Sequence, residues 1–124
     1  MEKINIEEKL SLFNEYWSPK IIGEVNESYV KLAKLKGDFI WHTHENEDEM
    51  FYVLKGVLTI KFREKDVQLN EGECIVIPRG IEHMPVAEEE VHVMLIESKT
   101  TLNTGNVVNE RTVENLKKLS LIHI

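Results

Sequence analysis

Between residues 20 and 97 the chain is a succession of short segments with many apolar positions, each interrupted by turn residues before it can lengthen. That rhythm leaves little choice of fold. Candidate strands are 20–25, 29–36, 39–44, 49–54, 57–63, 66–69, 74–78 and 91–97. The breaks hold Gly37, Asn46, Gly56, Asn70-Glu71-Gly72, Pro78-Arg79-Gly80 and Glu88-Glu89-Glu90, the residues of turns and solvated loops. Seven or eight short strands in about eighty residues predict an all-β sandwich or barrel.

The flanks read differently. Asn5 with Glu8 three positions later has the form of a capping box, Ile6, Leu10 and Phe13 follow on one face, and Pro19 ends the pattern. A helix is expected over 5–16. Residues 100–109 read as a loop, followed by a short amphipathic helix with Val113, Leu116 and Leu119 on one side. The expected organisation is an N-terminal helical arm at 1–19, a β unit at 20–99, and a C-terminal loop and short helix at 100–124. A chain of 124 residues buries roughly two-thirds of its unfolded surface, so one core suffices without a disulfide or structural metal.

Charge narrows the partners. Twenty-two acidic residues against fifteen basic ones give −7, which repels phosphate backbones and anionic lipids unless the basic residues cluster. They do not: Lys31, Lys34 and Lys36 are interleaved with apolar residues. Neither nucleic acid nor a membrane surface is an expected partner. The longest apolar run, residues 50–54, is far short of the roughly twenty a membrane helix needs. Met1-Glu2-Lys3-Ile4-Asn5 lacks the basic-then-apolar pattern of a signal peptide, and Cys74 is the only cysteine. A cytoplasmic protein is expected.

Several segments are apolar on both parities: Phe39-Ile40-Trp41, residues 50–54 and residues 93–96. A sandwich with one wet face would alternate. Part of the outer surface is therefore expected to be covered by the terminal helices or by a second subunit. A homodimer is expected, with the segment through Val25 covering this surface or exchanged between subunits.

His42 and His44 lie two apart on a candidate strand, so their imidazoles share one side. Ile40 has the same parity and makes that side the interior, with Phe39, Trp41 and Thr43 facing away. Buried imidazoles need partners, either carbonyls and carboxylates or a divalent metal. Glu49 shares a parity with Phe51 and Val53. Further on, Gly72 to His83 reads as a strand, a tight Pro-Arg-Gly turn and a histidine returning to the sheet.

Gly37, His42, His44, Glu49 and Gly56 together resemble the first conserved motif of the cupin superfamily. Gly72, Pro78, Gly80 and His83 resemble the second. Two positions depart from the usual pattern: four residues separate Gly37 from His42, where five are common, and Ala87 stands where an asparagine often follows the last histidine. The resemblance implies a jelly-roll (double-stranded β-helix) barrel. It implies one divalent transition metal per subunit (Fe, Mn, Ni, Co, Zn or Cu) held by His42, His44, Glu49 and His83. It further implies a metal-dependent enzyme on a small organic molecule, dioxygenase-like or sugar isomerase/epimerase-like, with Glu49 also a candidate proton acceptor; the alternative is a non-catalytic small-ligand or metal-binding module.

Ile40, Phe51, Val53, Ile60 and Phe62 are the expected pocket lining, apolar enough for an aromatic or short aliphatic ligand. Lys61 and Arg63 alternate with Leu58, Ile60 and Phe62 and so point outwards, which lowers the phosphosugar version. His92 reads as a packed or edge histidine, His123 as an exposed terminal one, and Cys74 as a small core residue.

Overall fold

The computed structural model describes residues 1–119. It is mostly β: a short helix α1 (Ile6–Leu10) is followed by β1 (Lys20–Val25), β2 (Ser28–Asp38), β3 (Glu49–Lys55), β4 (Leu58–Phe62), β5 (Asp66–Leu69), β6 (Cys74–Ile77) and β7 (His83–Ser98). Every pairing between these strands is antiparallel, in the order β1-β2-β7-β3-β6, with β4 pairing to β7 and carrying β5 on its other side. The arrangement fits a jelly roll.

Strand β7 organises the molecule. Its first residues pair with β4, from Phe62↔His83 to Thr59↔Val86, and its last with β3, from Val53↔Val93 to Glu49↔Glu97. Strand β2 follows it along most of its length. The register shifts between Leu35↔Val91 and Gly37↔Ala87, so β7 has extra residues there, and the expected acidic loop Glu88-Glu89-Glu90 is instead an exposed, irregular part of the strand. Solvated charges are compatible with a strand whose hydrogen bonds lie in the plane of the sheet.

Inside the barrel, Ala33, Leu35, Phe51, Val53, Leu58, Ile60, Val91, Val93 and Leu95 form one buried cluster. A second cluster lies against the other parity of β2: Leu10, Phe13, Ile22, Leu32 and Leu119, with Val30, Leu54 and Met94 packed on it. The chain's own ends thus cover part of the second apolar face.

The ends do so with little helix. Asn5 Oδ1 accepts the Glu8 N–H at 3.0 Å as the capping pattern requires, but α1 stops at Leu10, short of the 5–16 expected. Beyond it Lys34 Nζ donates to the Phe13 carbonyl at 2.7 Å, drawing the chain onto the sheet. The expected helix carrying Val113, Leu116 and Leu119 is absent among the described residues. Instead the Ile21 N–H donates to the Lys117 carbonyl at 2.9 Å and the Leu119 N–H donates to the Ile21 carbonyl at 2.8 Å. The open edge of β1 outcompetes a helical turn for those backbone groups. His123 lies outside the described residues.

Two further expectations change. Residues 39–44 form no strand; their one ladder contact is the bridge His42↔His83. Phe39 is consequently not an outward side chain: it is buried beneath Trp17, whose ring stacks on it at 4.7 Å and 18°. Cys74 is exposed rather than in the core, because along β6 it shares the outward parity of the exposed Val76 while Ile75 and Ile77 face the core cluster. No helix among the described residues is long and apolar enough to cross a membrane.

Candidate metal centre

Three pieces of chain meet at one end of the barrel. His83 opens β7 and Glu49 opens β3, while His42 and His44 lie in the irregular connection between β2 and β3. The backbones of His42 and His83 exchange both hydrogen bonds at 3.0 Å, and the Gly80 N–H donates to the His44 carbonyl at 2.8 Å. The Pro-Arg-Gly turn is held to the same connection, since the Arg79 N–H donates to Asp48 Oδ1 at 2.9 Å.

The side chains are then aimed. His42 Nδ1 lies 2.9 Å from the Ile40 carbonyl and His83 Nδ1 lies 2.9 Å from the Ile81 carbonyl. A carbonyl oxygen only accepts, so both Nδ1 atoms carry a proton and the Nε2 lone pairs are left for the interior. His83 Nε2 is 3.1 Å from Glu49 Oε1 and His44 Nε2 is 3.4 Å from Glu49 Oε2. The His44 contact lacks hydrogen-bond geometry, and neither nitrogen of that buried ring has a partner. His42, His44, Glu49 and His83 are 0–4% exposed, and one donor atom from each lies within 4.8 Å of all the others. Among the described residues this is the cluster able to hold a metal ion.

The electrostatics suit that role. Burial, reinforced by the neighbouring His83, lowers His42 to about 4, so its ring is neutral at pH 7. Burial pushes the Glu49 carboxyl up, but the imidazoles of His44 and His83 and the adjacent Glu97 outweigh it and hold Glu49 well below the usual carboxylate range. A neutral His42 ring and an ionised Glu49 carboxylate are in the protonation states a divalent metal takes as ligands. Glu97 moves the other way: burial and then the Glu49 charge raise it well above its ordinary value, against the pull of Lys31.

Beside the cluster is a cavity of about 40 Å³, lined by His42, Glu49 and Glu97 and by Trp17, Ala33, Leu35, Phe39, Phe51 and Leu95 among others. Of the expected lining residues, Phe51 is in this wall. Val53 and Ile60 are fully buried in the same core cluster as Phe51 but do not line the cavity; Val53 shares the inward parity of Glu49 and Phe51 and lies further along β3. Ile40 is half-buried in the connection, since without a strand its parity with His42 does not hold. Phe62 packs at the core's edge with its ring centre 6.4 Å from that of His83.

Lys31 and Glu97 were not among the sequence candidates, although their parities match those of Ala33 and Leu35, and of Val93 and Leu95. Trp17 left no signal, because it reaches the cavity from outside the strand pattern. His92 is elsewhere, 2.6 Å from Glu90 Oε2.

The cupin domain family (Cupin_2) matches residues 28–99, more than half of the chain. The uncharacterized protein YdbB of Bacillus subtilis (strain 168) is 41% identical over 63 residues, which are 50% of this chain and 56% of that protein. The chain thus spans little more than half the length of this curated relative. A crystal structure of a cupin-2 domain containing protein from Shewanella frigidimarina NCIMB 400 is 48% identical and superposes with a TM-score of 0.77 over 77% of this chain and 94% of that one. Protein NMB1881 from Neisseria meningitidis is 33% identical, with a TM-score of 0.72 over 79% of this chain and 100% of that one.

Proposed function

The chain belongs to the cupin-domain family, and from that premise we propose that it is a metal-dependent enzyme acting on a small organic molecule, with His42, His44, Glu49 and His83 holding one divalent transition metal. The observation that carries this reading is the convergence of four buried donor atoms within 4.8 Å of one another. The two partnerless nitrogens of His44 support it, since a buried imidazole without a partner is costly and a metal removes that cost. Three nitrogens and one carboxylate suit iron, manganese, nickel, cobalt, zinc and copper alike.

A metal bound there supplies Lewis acidity and, if it is iron or copper, redox chemistry with dioxygen. The protein supplies the rest. The Ile40 and Ile81 carbonyls hold the His42 and His83 rings in the ligating tautomer. Glu49 contributes the one negative charge of the set and is the candidate proton acceptor. Phe39, Phe51 and Leu95 keep water from the substrate side. Dioxygenase-like chemistry on an aromatic or short aliphatic molecule is favoured over sugar isomerisation, because the walls are largely apolar. The buried cation nearby, Lys31, is engaged by Glu97 at 3.0 Å and is not free for a phosphate. The reading includes a homodimer, supported by the half-buried Met50, Tyr52 and Ile96 beside the exposed Val76 on one face, and a cytoplasmic setting, supported by the single cysteine.

A second reading, a non-catalytic module binding a small ligand or metal, is favoured by the cavity's size. At about 40 Å³ it holds a few waters, and a larger molecule enters only if side chains such as Trp17 give way. Reloading the metal-free protein anaerobically with ferrous iron, then manganese, nickel or zinc, and screening catechols, short diketones and free sugars separates the readings. Iron-dependent oxygen uptake with an aromatic or diketone substrate supports dioxygenase chemistry; sugar turnover without oxygen supports an isomerase. Tight binding with no product in any metal form replaces the enzyme by the module.

A further inference from the structure

His42 and His44 sit on a stretch of chain outside the strands, tied to the sheet by the single bridge His42↔His83. Metal ligands must be fixed to within a few tenths of an ångström, and irregular backbone does not do this unaided. His42 is tied to His83 and the His44 carbonyl to Gly80. The residue between them, Thr43, is held from outside the matched cupin region. Its N–H donates to Asn106 Oδ1 at 2.9 Å, and its carbonyl accepts the Asn106 N–H at 2.9 Å.

One residue thus offers Thr43 an acceptor and a donor, as the facing residue of an antiparallel strand would. Gly105 sets the approach. It has φ +58°, and a Cβ placed on it would fall 2.3 Å from the Thr43 carbonyl oxygen and 3.1 Å from His42 Cδ2. Only glycine permits that contact. The loop carrying the pair is itself braced: the Gly105 N–H donates to the Leu102 carbonyl at 2.9 Å, and the buried Thr104 hydroxyl meets that of Thr112 at 2.6 Å.

We propose that the 102–107 loop is a positioning element of the metal centre, in which Asn106 stands in for a neighbouring strand at Thr43 and Gly105 sets its closeness to His42. The proposal rests on the metal-centre reading for its consequence, and on the backbone contacts alone for its geometry. Asn106 is exposed, so replacing it leaves the core intact. Supporting partners of metal ligands typically contribute 10–100-fold in affinity.

The test uses the full chain, wild type, Asn106→Ala, Asn106→Asp and Gly105→Ala. Cobalt or zinc affinity is measured by competition with a chromophoric chelator, metal-free melting is followed in parallel, and amide hydrogen exchange is read at Thr43. Asn106→Ala and Gly105→Ala should each weaken metal binding about tenfold or more and speed Thr43 exchange, while Asn106→Asp, which keeps the acceptor, should stay near wild type. Wild-type affinity in Asn106→Ala, or a fall in metal-free melting temperature with affinity unchanged, overturns the positioning role. If the wild-type chain takes no metal, the metal-centre reading fails separately. Thr43 exchange then decides the clamp: unchanged protection in Asn106→Ala and Gly105→Ala overturns it.

Discussion

Lys31 Nζ and Glu97 Oε1 stand 3.0 Å apart in the barrel interior, each side chain only 2% exposed, and Glu97 pairs in register with Glu49. A charged pair this deep recovers little more than its own desolvation. Its worth shows when one partner is removed. Lys31→Ala should lower stability by about 3 kcal/mol, the low end for a broken buried pair, because Glu97 is already pushed towards its neutral form. The double variant Lys31→Met with Glu97→Leu should recover most of that. Urea denaturation at pH 7 measures both, and a single variant as stable as wild type would contradict the account.

Acid should weaken the metal-free protein through His42. Its folded value of about 4 lies below the ordinary 6.5, so between these pH values the unfolded chain binds a proton that the folded chain refuses. Stability from this residue is therefore intact above about pH 6.5 and declines as pH falls towards 4, by about 3 kcal/mol in all. His42→Gln should show a shallower loss between pH 7 and pH 4.5 in urea midpoints. Parallel pH profiles would mean that the ring is not held neutral by burial.

Metal content should follow the four donors. Elemental analysis after dialysis is expected to find about one divalent transition metal per chain, and His42→Ala, His44→Ala and His83→Ala should each lose most of it. Occupancy should fall with acid, because ligating imidazoles must be neutral, and His42 itself takes a proton only towards pH 4. Full occupancy in His83→Ala would remove that residue from the centre. Glu49→Gln keeps the size and loses the charge, so it should lower turnover more than ligand binding.

Assembly is tested at the open face. Met50 faces Ile96 on β7 and Val76 on β6, and Val76 is 60% exposed. Light scattering at micromolar concentration should give twice the chain mass of 14.5 kDa, and Val76→Arg should return the protein to a monomer. A wild-type mass of one chain would show that the terminal segments cover enough of the surface by themselves.

Much of this molecule could be read from its residues, where local pattern and tertiary context agree. Candidate segments such as 66–69 and 74–78 coincide closely with β5 and β6, because turn residues bound them on both sides. The spacings around His42, His44, Glu49 and His83 pointed to residues that stand together. The reading failed where a distant partner claims the backbone. Residues 39–44 read as a strand, yet their backbone hydrogen bonds are shared among Pro85, His83, Gly80 and Asn106; residues 113–119 have a helical stripe, yet Ile21 takes the bonds of Lys117 and Leu119. Cys74 looks like core by its apolar neighbours, but it shares the outward parity of Val76, on a face the core does not cover. Lys31 and Glu97 were legible by parity and were passed over as ordinary charges.

Strand β7, bonded in turn to β4, β2 and β3, also dictates the order in which the molecule can come together. Glu49 and His83 are 34 residues apart and meet only once β7 lies against its neighbours on both sides. His42, His44 and Glu49 lie within eight residues of one another, but the fourth donor, His83, arrives only with β7, so the complete centre forms late. Such distant pairings place folding in the millisecond-to-second range, and metal added before refolding should leave the rate unchanged while slowing unfolding. The ion would then act as a late lock on a finished barrel, never as its seed.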